Sequence, residues 1–140
     1  MNVITGTIQV QSKGENDMID VTEEIENAVQ KSGLRNGLVT VFVSGSTGAV
    51  TTIEHEAGLL KDFPAMLERV APKNGVTYEH DEAWHDGNGH SHLRASIIGP
   101  SLTIPLADGR LALGTWQQIV FVELDIRARL RKLVVQILGE

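Results

Sequence analysis

The chain contains no cysteine. That excludes disulfides, thiolate metal sites and thiol nucleophiles, and it suits a reducing compartment. Aromatic residues are scarce, at 4% of the total, so the core must be assembled from Val, Ile and Leu, as in a strand-rich protein. No apolar run approaches the ~18–20 residues that cross a bilayer, so no membrane association is expected. The opening MNVITGTIQVQSKGE has neither the basic start nor the apolar block of a signal peptide, and a cytoplasmic location is expected. There is no excess of basic residues either. Twelve Lys and Arg stand against 18 Asp and Glu, a net charge of −6, which argues against a nucleic-acid partner. What is present suffices for a folded unit: 140 residues, 41% hydrophobic, are the size and composition of one globular domain spanning 1–140.

The densest chemistry lies in Tyr78–Ser101, YEHDEAWHDGNGHSHLRASIIGPS. It holds four of the five histidines, His80, His85, His90 and His92, with Asp81, Glu82 and Asp86 between them. Asp86-Gly87-Asn88-Gly89 is turn chemistry, because Asn and Asp tolerate left-handed backbone angles and Gly adopts them freely. The stretch therefore reads as a loop passing into a strand at His90 or His92. Neutral imidazoles and carboxylates are ligands for zinc and similar divalent ions. On an extended backbone His90 and His92, two apart, share a face, and Arg94 shares it too. A metal or ligand site is preferred here over chance clustering.

The rest of the chain alternates between strand and helix signals. Val3–Gln11 alternates apolar and polar residues, a half-buried strand, and Met18–Asp20 is a short one. A helix follows, capped by Asp20 or Thr22, with Val21, Ile25, Ala28 and Val29 on one stripe and Gly33 as its stop. Leu38–Val43 and Ala49–Glu54 are strands separated by Ser44-Gly45-Ser46-Thr47-Gly48. That loop of small residues can receive an anion such as phosphate, but on its own evidence a plain turn is preferred. Leu59, Leu60, Phe63, Met66, Leu67 and Val70 form a second helical stripe. Pro64 is tolerable there if the helix starts close before it, with Asp62 a candidate cap. Beyond the histidines the chain reads as strand: Leu93–Ile98, Leu102–Leu106, Leu111–Leu113, Ile119–Leu124 and Leu130–Leu138, with Asp108-Gly109 as a hairpin turn. The expected fold class is α+β, a mostly antiparallel curved sheet or β-sandwich of about eight strands with two main helices.

Gly99-Pro100-Ser101-Leu102-Thr103-Ile104-Pro105 and the run Asp108-Gly109-Arg110-Leu111-Ala112-Leu113-Gly114-Thr115-Trp116-Gln117-Gln118-Ile119 resemble the signature of the YjbQ-like family. Tyr78-Glu79-His80-Asp81, His92-Leu93 with Ser96 and Gly99, and the final Gly139-Glu140 match as well. The likeness runs from about Asn36 to the end. The family is also described as secondary thiamine-phosphate synthase. The resemblance implies a curved-sheet α+β fold, a homotrimer and a weak transferase activity. That reaction joins a hydroxymethylpyrimidine pyrophosphate to a thiazole phosphate and releases pyrophosphate. One departure is notable. Members commonly carry His-Thr-Thr after the central strand, whereas this chain has Ser44-Gly45-Ser46-Thr47, so Gly45 stands at the histidine position. His85 or His90 is expected to supply the missing imidazole.

Such a coupling needs a divalent ion, zinc or magnesium, and basic groups to neutralise the departing pyrophosphate. The expected metal ligands are His80, His85, His90 and His92, and the expected catalytic residues are Glu54, Asp62, His80 and His92. The expected contacts to a small phosphorylated substrate are Ser46, Thr47, Asn88 and Arg94. Each carries a plainer alternative: Glu54 a solvated strand end, Asp62 a helix cap, Arg94 a surface ion pair. Trp116 and Gln117 are expected to be structural. Trp84 stacks on a ligand or packs on a neighbouring subunit. Arg127, Arg129, Arg131 and Lys132 look like a phosphate patch, yet solubilising charge is the preferred reading. Two other functions compete with the transferase: a metal-dependent hydrolase of a small phosphorylated molecule, and a non-catalytic trimeric metal- or ligand-binding protein.

Overall fold

The computed structural model describes residues 1–140. In chain order the elements are β1 (Asn2–Gln11), β2 (Met18–Asp20), α1 (Thr22–Ser32), β3 (Gly37–Val43), β4 (Gly48–Ile53), α2 (Ala57–Val70), α3 (Glu79–Trp84), α4 (Gly89–Ile98), β5 (Ser101–Ala107), β6 (Arg110–Leu111), β7 (Gln118–Glu123) and β8 (Leu130–Gly139). The strands form two antiparallel sheets, β1-β8-β3-β5-β6 and β2-β7-β4. The fold is α+β with eight strands, as the sequence pattern implies.

Alternation along the strands sorts residues into the core. β3 turns Val39, Val41 and Val43 inward, and β8 turns Leu133, Val135 and Ile137 inward. These meet Val50, Ile119 and Phe121 of the smaller sheet in the principal core. β7 is apolar without alternation because both of its faces are covered. Val120, Val122 and Leu124 pack on the far side against Leu67 of α2 and Ala95 of α4. The layers are therefore large sheet, small sheet, then α2 and α4. α1 adds Ile25 and Val29 to the principal core. Asp20 Oδ1 accepts the Thr22 N–H and hydroxyl at its start, and Gly33 ends it in the left-handed conformation.

Two helices differ from expectation. α2 starts at Ala57, where the Glu56 carboxylate accepts the N–H groups of Gly58 and Leu59, so Pro64 lies in its interior and Asp62 caps nothing. The apolar stripe and this cap hold α2 despite the backbone hydrogen bond that Pro64 forfeits. The histidine stretch is helical, not loop and strand. α3 ends at His85 in the left-handed conformation, Gly87 carries the turn, and α4 runs through Leu93–Ile98. Hence there are four helices rather than two. Tertiary packing decides this: as a helix, the segment lays Ala95 on the outer face of the small sheet. Its first turn also crosses Tyr78 so closely that a Cβ on Gly89 would stand 2.6 Å from the Tyr78 Cβ. No helix is long and apolar enough to cross a membrane.

Candidate functional site

Three connections meet around one cleft of about 340 Å³: Ser44–Thr47 after β3, Asp86–Asn88 between α3 and α4, and Asp125–Arg129 between β7 and β8. No hydrophobic residue lines it. A larger cleft of about 450 Å³ lies between α1 and the β1–β8 pair, but it is half apolar and holds no histidine. Chemistry places the candidate site in the smaller, polar cleft.

At its edge His80 of α3, Asp86 and His92 of α4 bring one ligand atom each within 4.8 Å of one another. The two imidazoles lie 4.4 Å apart between centroids, tilted by 59°. Asp86 Oδ2 is 3.2 Å from His80 Nε2, while Oδ1 accepts the Asn88 backbone N–H at 3.0 Å. That N–H holds the Asp86 pKa below its ordinary value against the opposing effect of burial, and His80 and His92 add to the lowering. The carboxylate is thus kept ionised beside two imidazoles, the donor set that suits a divalent ion.

The far wall is built on buried charge. Asp125 accepts the Thr47 hydroxyl at 3.1 Å, the Arg127 N–H at 3.0 Å and Arg129 Nη1 at 2.8 Å. Burial raises its pKa, but these donors, with Asn88, outweigh it, and the net shift is downward. Arg131 follows the inward-facing register of β8 and is only 5% exposed. Its Nε and Nη2 bind both oxygens of the fully buried Glu123, and Nη2 also reaches the Thr47 hydroxyl at 2.9 Å. Asn88 joins the walls, since its Oδ1 accepts the Ser91 hydroxyl and the Ile126 N–H.

The structure therefore gathers His80, His92, Ser46, Thr47 and Asn88 at one place and leaves the other candidates elsewhere. Residues two apart on a helix point roughly 200° apart rather than together. So His92 faces the cleft while His90 turns inward to pair with Glu15. Arg94 goes the same way. It is buried, with its guanidinium on the Ala71 carbonyl at 2.9 Å, Glu68 at 2.8 Å and Asn16, and it is unavailable to a phosphate. His85 is exposed at the end of α3. Neither His85 nor His90 replaces an imidazole at Gly45; Asp86 completes the cluster instead. Glu54 lies just beyond β4 and Asp62 is exposed on α2, and neither lines the cleft. The fifth histidine, His55, lies outside the cleft and pairs with the Met18 carbonyl at 2.9 Å. Trp116 is 73% exposed rather than packed, and Trp84 is 74% exposed. Gln117 does serve structure, accepting the Gly114 N–H and donating to Thr52. Arg127, Arg129 and Arg131 line the cleft rather than merely solubilising the chain. The signal for Arg131 was its place in the alternation with Leu133, Val135 and Ile137.

The fold agrees with comparison to known proteins. Residues 6–140 match the family model described as UPF0047 protein YjbQ-like. A UPF0047 protein of Methanothermobacter thermautotrophicus is 38% identical over 140 residues, covering 100% of this chain and 95% of that one. The UPF0047 protein YugU of Bacillus subtilis is 32% identical, covering 85% and 88%. Among solved structures, a YbjQ-like protein of unknown function from Sulfolobus solfataricus superposes with a TM-score of 0.89 at 35% identity, covering 99% of each chain. A hypothetical protein from Aeropyrum pernix gives 0.90 at 37%, covering 98% of this chain and 99% of its own. These relatives correct the functional expectation. They are described as UPF0047, hypothetical or of unknown function, so the thiamine-phosphate synthase reading has no support among them and is withdrawn. Matched along nearly its whole length, the chain belongs to the YjbQ-like UPF0047 family.

Proposed function

We propose that the chain binds a divalent cation on His80, Asp86 and His92 and presents it to a small phosphorylated molecule entering the polar cleft. The observation that carries this reading is the convergence of two imidazoles and one ionised carboxylate at the rim of a cleft lined by three arginines. Two nitrogen donors favour zinc over magnesium, which prefers oxygen ligands throughout. Three protein ligands leave a position free for a phosphoryl oxygen. Metal analysis of the purified protein and calorimetric titration with zinc and magnesium test this. One zinc per chain is expected, with magnesium weaker, and His92→Ala or Asp86→Ala should cost at least about tenfold in zinc affinity. Unchanged zinc binding in a His80→Ala, His92→Ala double variant would overturn the reading.

A homotrimer belongs to the same proposal. On the outer face of the large sheet, β3 shows Leu38, Thr40 and Phe42, and β1 shows Val3, Thr5 and Thr7. β8 adds Leu138, Gln136 and Val134 to this face, with Lys132 beside Gln9 at one end. No helix lies over it, so it offers apolar area to other copies of the chain.

A further inference from the structure

We infer that Gly45 opens an oxyanion subsite on Arg131, built of residues other than the proposed metal ligands, and that this subsite receives a phosphoryl group. The inference rests on the phosphorylated-ligand reading above but not on the cation. Arg131 is more than nine-tenths buried, and its Nε and Nη2 are committed to Glu123 and Thr47. Nη1 forms no hydrogen bond within the protein. Since no sealed side-chain polar atom lacks a partner, Nη1 must be the part of this guanidinium that opens to the cleft. A donor left open to the cleft while the rest of its guanidinium is fixed is a prepared site for an anionic acceptor, because Glu123 prevents the guanidinium from turning away.

Gly45 controls access to it. The residue sits at φ +123°, and a Cβ there would stand 3.2 Å from Arg131 Nη1. A histidine at this position would fill that space, whereas glycine leaves it to a ligand oxygen. The surroundings suit an anion with several oxygens. Gly45, Ser46 and Thr47 line the same cleft, their backbone N–H groups donate to no other backbone carbonyl of the loops, and Arg127 is exposed at the rim. A tetrahedral phosphoryl group can satisfy such a spread of donors better than a planar carboxylate.

The test uses metal-free full-length protein, inorganic phosphate and acetate. Phosphate should bind without metal, more tightly than acetate, and should shift the Arg131 guanidinium resonance in 15N spectra. Gly45→Ala should weaken phosphate binding by about tenfold or more, the cost of one hydrogen bond to a charged group, and leave zinc affinity unchanged. Conversely, His92→Ala should lose zinc and keep phosphate. The inference is overturned if Gly45→Ala binds phosphate like the parent chain, or if phosphate leaves the Arg131 resonance unmoved. Loss of zinc binding alone would sink the cation proposal and spare this one.

Discussion

Glu123 is the residue on which the far wall turns. It is fully buried, takes two bonds from Arg131 and accepts the Ser12 hydroxyl at 2.8 Å. Removing one partner of a buried pair leaves the other charge uncompensated, so Glu123→Ala should lower unfolding free energy by about 3–5 kcal/mol in urea denaturation. Replacing both Glu123 and Arg131 with apolar residues should recover much of that while abolishing phosphate binding. The carboxylates set the acid limit. Glu15, Asp86 and Asp125 are all held below their ordinary values. A lowered folded-state pKa means stability that is complete above the unfolded value and is lost as pH falls through the folded one. Urea midpoints should therefore be flat near neutrality and drop below about pH 5, where unfolded Asp and Glu begin to take up protons. A midpoint unchanged at pH 3 would contradict the hydrogen bonds assigned to these groups.

At the scale of elements, α4 shows what the sequence revealed and what it hid. The strands were legible because alternation is a local signal: Val39, Val41 and Val43 announce their inward face. α1 was legible from its stripe and its glycine stop. α4 was not, because Leu93–Ile98 mixes helix formers with the β-branched pair Ile97-Ile98 and its only deep apolar contact is Ala95. Its state is fixed by what it lies on, which no local window contains. That error propagated to the site. A strand would put His90, His92 and Arg94 on one face, whereas the helix splits them between cleft and interior. His80 and His92 still meet because each is reached from a different element. Asp86 stood among the acidic residues between the histidines and as turn chemistry, with nothing local to single it out as a ligand. Gly89 offers a direct check on the crossing of α4 over Tyr78. Gly89→Ala should lower Tm and cost about 1–3 kcal/mol through overpacking, even though alanine favours helix. A more stable Gly89→Ala protein would mean that the crossing is looser than described.

At the scale of the whole molecule, α2 and α4 cover the small sheet, α1 packs on the inner face of the large sheet, and the large sheet keeps its outer face open. Phe42 and Leu38 stand at the middle of that face, on the strand between β8 and β5. Phe42→Lys should leave the folded chain intact but dissociate the proposed trimer, read by light scattering after gel filtration. A monomeric parent chain, or a trimer indifferent to this charge, would remove the face from consideration.

The placement of β8 has a kinetic consequence. It lies between β1 and β3, pairing Asn2 with Gly139 on one side and Val43 with Leu133 on the other. Neither neighbour can join the other without it, so the large sheet is closed by contacts that span almost the full sequence. Forming them requires closing the longest loops the chain allows before any enthalpy is returned, which slows the rate-limiting step. Until Leu130–Gly139 docks, β1 and β3 present two raw edges, and in refolding experiments aggregation should rise steeply with protein concentration during that interval.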